Sequence, residues 1–216
     1  MARSWLEKIK ALPREENPVV FLEVATTGIS PTTGRKFCDA RVLGRLYFEL
    51  RQDIAPIACA NFLQLVLGTV GKTRAATEPG FEDVYRYKGT RLHRIVRNQI
   101  VEGGDLRGTD GEFNQSGFPV TSENPEGTFP DENFILRHTG PGCLSYCSRG
   151  PDTNGCLFQI TLMQNEQLDE RCVCFGCLVT KESFDVLEDI NSFGTKFGMP
   201  LADVYISDTG KVFPRA

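Results

Sequence analysis

At 216 residues the chain is long enough to bury one generous core, and its 40% hydrophobic and 24% charged residues are the balance of an ordinary globular domain. A formal charge of −4 argues against a nucleic-acid-binding face, and no apolar run approaches the ~20 residues a membrane helix needs. The N-terminus carries no apolar signal core, so the 8 cysteines are expected as free thiols in a reducing, cytoplasmic compartment.

Residues 3–12, RSWLEKIKAL, are stopped by Pro13 and place Trp5, Ile9 and Leu12 on one face of a short helix. So short a helix is unstable alone, and its stripe either docks on its own domain or anchors a partner. Residues 1–16 are therefore an amphipathic tail and 17–216 one domain. Val19 to Val24 is an apolar, β-branched first strand. Residues 25–41, rich in Thr, Gly, Ser and Pro, are expected as a long loop before a second strand from Val42 to Arg51. Asp53 to Leu67 carries a helical stripe of Cys59, Phe62, Leu63, Val66 and Leu67, with Pro56 near its start and Gly68 at its end. A second long loop covers 68–87. Strands follow at 90–96 and 100–106 around the bend Arg97-Asn98-Gln99, and then a polar excursion at 107–130.

The run from Asp131 to Ile160, DENFILRHTGPGCLSYCSRGPDTNGCLFQI, holds two turn clusters, Thr139 to Gly142 and Gly150 to Gly155. Cys143 to Tyr146 and Cys156 to Ile160 are short strands beside them. Asn154-Gly155 suits the left-handed backbone of a tight turn. Cys172 to Val179 is a further strand. Phe184, Leu187 and Ile190 mark a second helix, with Thr180 as N-cap and Gly194 as stop. Leu201 to Ile206 is the last strand. Many short strands with two helices fit a closed antiparallel barrel plugged by helices.

The Asp131–Ile160 run resembles the cyclophilin family of peptidyl-prolyl cis–trans isomerases, whose hallmarks read much like DENFILxHTGPGxLS and GPxTNGxxFxI. Further matches are Leu43 to Leu50, then Lys88-Gly89 with Leu92-His93-Arg94-Ile95-Val96 and Gly103-Gly104-Asp105, then Leu168-Asp169 with Phe175-Gly176. The resemblance runs in family order from Pro18 to Val212. It implies a mainly β fold: a closed, eight-stranded antiparallel barrel capped by two helices, here with longer loops at 25–41 and 68–87 than the family usually has.

The implied chemistry lowers a rotational barrier of roughly 18–20 kcal/mol about a prolyl C–N bond. A cation hydrogen-bonded to the proline nitrogen localises its lone pair, which is electrostatic stabilisation of the twisted state. An aromatic pocket must also grip the pyrrolidine ring. The resemblance assigns the catalytic arginine to Arg94. It assigns substrate contacts to Gln99 and Ile100, where the family has an aromatic residue and methionine, and to Glu102, where a steadying glutamine stands. A carboxylate at Glu102 can pair with Arg94. Cys147 and Ser148 replace the family's backbone-binding alanine and asparagine. Leu157 replaces a glutamine, Gln159 the aromatic floor, Gln167 the tryptophan wall and Cys172 a histidine, while Leu168 is kept. Phe158 matches a core position and should point inward.

Losing an aromatic wall forfeits roughly 1.5–3 kcal/mol of ring burial, so weak or absent isomerase turnover is expected, and poor cyclosporin binding with it. The expected role is a protein-binding or scaffold subunit, with partners met through the pocket, the long loops or Trp5, Ile9 and Leu12. A cytoskeletal or axonemal assembly is one setting; the alternative is a working isomerase that assists folding. Partners are proteins or proline-containing peptides, not nucleic acid or membrane. Cys174-x-x-Cys177 is a zinc-like unit without a clear second pair, so no metal and no cofactor is expected. The cysteines are mainly small buried hydrophobes, with Cys147 and Cys172 a candidate redox-sensitive pair.

Overall fold

A computed structural model describes residues 17–29, 36–69, 85–120, 122 and 125–213. The fold is mainly β: eight antiparallel strands form one curled sheet, a half-barrel accompanied by two helices. The strands are β1 (Val19–Ile29), β2 (Lys36–Leu50), β3 (Arg94–Val96), β4 (Ile100–Gly103), β5 (Cys143–Tyr146), β6 (Phe158–Thr161), β7 (Cys174–Leu178) and β8 (Asp203–Phe213). Their order across the sheet is β3-β4-β6-β5-β7-β2-β1-β8. Helix α1 (Pro56–Leu67) follows β2, and α2 (Lys181–Ser192) follows β7.

Alternation along the strands sends one face to the core. Val20, Leu22 and Val24 of β1 meet Leu46, Phe48 and Leu50 of β2, all buried. Helix α1 adds Phe62, whose ring lies 5.0 Å from Tyr87, 5.6 Å from Phe158 and 5.3 Å from Phe175. Tyr146 stacks on Phe175 at 4.4 Å. Its hydroxyl donates to the Ala58 carbonyl at 2.8 Å and accepts from Asn61 Nδ2 at 2.9 Å, so the buried phenol is satisfied. Thr180 caps α2 as its sequence position suggests, accepting from the Ser183 amide, and Gly68 ends α1 in the left-handed region at φ 64°.

Two expectations are corrected. The loop foreseen at 25–41 is largely strand: β1 and β2 continue as one hairpin, pairing Thr26 with Arg41 and Ile29 with Lys36. Ala25 and Thr26 are buried there, and Thr26 Oγ1 donates to the Asp203 carbonyl at 2.9 Å. The 68–87 loop and the Trp5, Ile9 and Leu12 stripe lie wholly or mainly outside the described residues. Asn154-Gly155 is not a left-handed turn. Asp152 takes the positive φ, at 61°, while Asn154 bridges Phe129. Gly155 is required by close approach, since a Cβ there would sit 2.2 Å from the Asn114 carbonyl oxygen.

The sheet curls until its two edges meet at a short seam. The chain just before β3 meets β8 at a single bridge, Arg91 to Tyr205, flanked by Leu92 N–H to Val204 O at 2.8 Å and Ile206 N–H to Thr90 O at 2.9 Å. Past this seam β3 bonds a different segment. Ile95 donates to the Gly198 carbonyl at 2.8 Å and accepts from Thr195 N–H at 3.1 Å, so residues 195–198 take the edge that a full ladder to β8 would need.

Candidate functional site

The register of four neighbouring ladders sets one transverse row on the face opposite the core. Arg94 of β3 pairs with Glu102 of β4, Glu102 with Gln159 of β6, Gln159 with Ser145 of β5, and Ser145 with Cys174 of β7. Residues directly opposite across a ladder share a face and touch. The row therefore places the only cation at one end, a carboxylate beside it, and an amide and a hydroxyl in the middle.

Arg94 Nη1 donates to the Glu102 carboxylate. The arginine side chain is 45% exposed and the glutamate 18%, so the pair sits at the rim and is screened by water. Its consequence is chemical more than energetic: the guanidinium fork already has an anionic acceptor. Gln159 is only 3% exposed, and its Nε2 donates to Ser145 Oγ at 3.1 Å. Burial pushes the nearby Cys172 thiol up, and the Gln159 amide pulls it partly back. Gln159 is thus built into the floor, with the polar contacts a buried amide needs.

Cys147 and Leu157 close the row on the side of the β5–β6 connection. Cys147 N–H donates to Leu157 O at 3.0 Å, and burial pushes the Cys147 thiol well above its usual range, reinforced by the Glu102 carboxylate. Asn114 holds this corner. Its Oδ1 accepts from Leu157 N–H at 3.0 Å, and its Nδ2 donates to the Thr153 carbonyl at 3.0 Å. The loop carrying Asn114 is itself wound around Asp105. That carboxylate accepts from the amides of Arg107 (2.9 Å), Thr109 (2.8 Å) and Gly111 (2.8 Å). Burial pushes Asp105 up, but these bonds outweigh it and hold the carboxyl below the usual range.

The other expected residues lie further out. Ser148 is half-buried next to Cys147. Ile100 is half-buried at the start of β4, and Gln99 is exposed on the turn before it. Gln167 is exposed on a short 3-10 turn, Glu166–Leu168, its amide bound to Asn165 Oδ1 at 3.2 Å; Leu168 is half-buried. No hydrogen bond among the described residues joins Gln99 or Gln167 to Gln159, so the three glutamines do not close the groove together.

A cleft of about 780 Å³ opens beside Arg94, Glu102, Cys147 and Leu157. Its far wall is the loop after α2, where Phe197 is 87% and Met199 78% exposed. Gly198 between them lies against the arginine: a Cβ would stand 2.8 Å from Arg94 Cγ. Sequence reading missed Asn114, Ser145 and this wall. Asn114 sits in a stretch without periodicity. Ser145 becomes visible only through register. Phe197-Gly198-Met199 was legible as an apolar pair around a glycine.

The family model described as cyclophilin type peptidyl-prolyl cis-trans isomerase/CLD matches residues 37–211. The chain belongs to this family. Cyclophilin domains bind proline-containing peptides and proteins, and the Arg94 row lies within the matched span. The match starts inside β2, yet β1 of this cyclophilin domain pairs on both sides, with β2 and β8. Among the described residues no helix is long and apolar enough to cross a membrane, and no group of three or more His, Cys, Asp or Glu side chains is placed to hold a metal ion.

Proposed function

We propose that this chain is a cyclophilin-type domain that engages protein segments with weak or no isomerase turnover and serves as a protein-binding subunit of a larger cytoplasmic assembly. The observation that supports this most is Gln159. A buried amide, tied to Ser145 Oγ at 3.1 Å, stands where the family places the aromatic floor under the proline ring. Seating a pyrrolidine over it forgoes roughly 1.5–3 kcal/mol of apolar burial. At roughly 1.4 kcal/mol per tenfold, that weakens proline capture by about one to two powers of ten. The pairing of Arg94 with Glu102 adds to this, because the cation meets a carboxylate before it meets a proline nitrogen. Arg94, Gln99, Ile100, Glu102, Cys147, Ser148, Leu157, Gln159, Gln167, Leu168 and Cys172 form the proposed contact set, with Arg94 the catalytic group of any residual turnover.

A calorimetric titration with an Ala-Pro peptide tests the reading. Uptake with the affinity of an aromatic-floored cyclophilin would overturn it; weak uptake that tightens in Gln159→Phe is expected. One observation favours a working isomerase: Arg94 is 45% exposed on an open cleft, so a substrate can reach it. The N-terminal stripe Trp5, Ile9 and Leu12 is proposed as the partner anchor, to be checked by comparing partner affinity with and without residues 1–16.

A further inference from the structure

The loop after α2 turns three large apolar side chains to solvent: Phe197, Met199 and, at 53% exposure, Leu201. Its backbone is pinned, so the side chains stay out. Ile95 N–H donates to the Gly198 carbonyl at 2.8 Å, Thr195 N–H to the Ile95 carbonyl at 3.1 Å and Leu201 N–H to the Phe193 carbonyl at 2.8 Å. Gly198 N–H donates to Thr195 Oγ1 at 3.1 Å. Exposed apolar residues scattered singly are ordinary, but three on one pinned loop beside a cleft mark a docking surface.

The same loop borders two clefts that differ in charge. Phe197 and Met199 wall the one beside Arg94, where carboxylates of Glu102, Asp110 and Asp203 accompany the arginines. Thr195, Lys196 and Leu201 wall a second cleft of about 440 Å³, lined on its other side by Arg97 and Gln99. Both charged side chains lining this second cleft are cations, Arg97 and Lys196. Arg97 donates to the carbonyls of Gly194 at 3.0 Å and Ser192 at 3.4 Å, and Lys196 Nζ lies 5.9 Å from the centre of the Phe197 ring. Among the described residues no carboxylate pairs with either. Glu188 is linked to the cleft through Asn191, whose Nδ2 contacts Glu188 at 3.3 Å and Asn98 at 2.8 Å.

We propose, on the footing of the function given above, that this loop is a specificity wall for a partner protein's segment bound in the Arg94 groove. Phe197 and Met199 take a bulky apolar side chain of that segment, and Arg97 with Lys196 takes an acidic one. The wall is continuous with the groove at two points. Gly198 packs on Arg94, where a Cβ would stand 2.8 Å from Cγ, and Gln99 of the contact set lines the cationic cleft. An amide floor gives a proline ring little to bury against, so an apolar anchor beside it supplies burial elsewhere along the same segment. The pinned backbone presents that anchor with little left to order on binding. The unpaired cations favour a segment of opposite charge.

Calorimetric titration of the full chain with a small set of peptides tests the proposal. One is a plain Ala-Pro peptide in a neutral polar background; the others add Leu, Glu or both within a few residues of the proline. Leu should tighten binding about tenfold. Glu should tighten it about two- to fivefold, and that gain should fade as salt is raised. Phe197→Ser should abolish the Leu gain and spare the Glu gain, and Lys196→Glu should do the reverse. In Lys196→Glu a Lys-bearing peptide should outbind the Glu-bearing one, a reversal that loss of folding would not produce. Equal affinity for every peptide overturns the wall and leaves weak proline capture standing. Tight uptake of the plain peptide overturns the function proposed above, while the Leu and Glu increments still judge the wall. A Leu gain seen only once residues 1–16 are removed would give the wall to the chain's own N-terminal segment. A protein dimer that Phe197→Ser dissociates would give it to a second copy; either result contradicts the proposal.

Discussion

Strand β6 carries two adjacent residues with opposite surroundings. Phe158 faces the core, fully buried, edge-on to Phe62 at 5.6 Å and to Tyr87 at 5.2 Å. Gln159, one residue on, faces the groove and bonds Ser145. The core side carries aromatic rings; the groove side carries an amide with polar neighbours. The fold rests on the first face, and the second can vary without disturbing it.

The largest effect expected from breaking this contrast is on the core. Phe158→Ala should cost roughly 3–5 kcal/mol of stability, read from the denaturant midpoint, because its neighbours are rings that cannot collapse into the space. A loss below ~1 kcal/mol would mean that the ring cluster is not what holds the sheet. Gln159→Phe sharpens the contrast from the other side. It should tighten binding of an Ala-Pro peptide by about ten- to a hundredfold, while leaving Ser145 Oγ without its partner at a stability cost of about 1–3 kcal/mol. Unchanged affinity would show that the floor is not what limits proline capture.

The pH response comes from two histidines. Burial holds His138 below the ordinary histidine range, against the opposing pull of Asp169 at 2.9 Å, and burial lowers His93 as well. The folded chain therefore resists protonation that the unfolded chain accepts. Stability is full above about pH 6.5 and falls as the pH drops below it. Asp169 and Asp105 are both held below the usual carboxylate range. Their contributions persist until the pH falls below about 4. The core phenols of Tyr87 and Tyr146, pushed well up by burial, stay silent throughout. Denaturant midpoints at pH 8, 6 and 5 should decline, and His138→Asn should flatten that decline; a slope unchanged in the variant would place the response elsewhere. The smallest effect is expected for Glu102→Gln. An exposed pair contributes about 0–1 kcal/mol, so stability should barely move, while peptide affinity rises modestly as Arg94 is released.

How much was legible follows the same division. The core face was readable because periodicity reports burial: Cys59, Phe62 and Val66 lie buried along α1 as the stripe required, and Phe158 points inward. Leu67 from that stripe is 45% exposed, since the helix ends there. The groove was half readable. Composition at Gln159 and Glu102 signalled a polar floor, but Ser145, Cys174 and Asn114 join the site through register and a distant loop, which no local pattern encodes. The seam between β3 and β8 was unreadable for the same reason. Residues 195–198 take the β3 edge through backbone bonds that any side chains could make.

The proposed function rests on a groove that holds a proline ring only weakly beneath Arg94. The most direct measurement is NMR exchange between the cis and trans forms of an Ala-Pro peptide at substoichiometric protein. The account predicts interconversion close to the uncatalysed rate for wild type and a clear acceleration for Gln159→Phe. Fast exchange with the wild-type chain, abolished by Arg94→Ala, would contradict it.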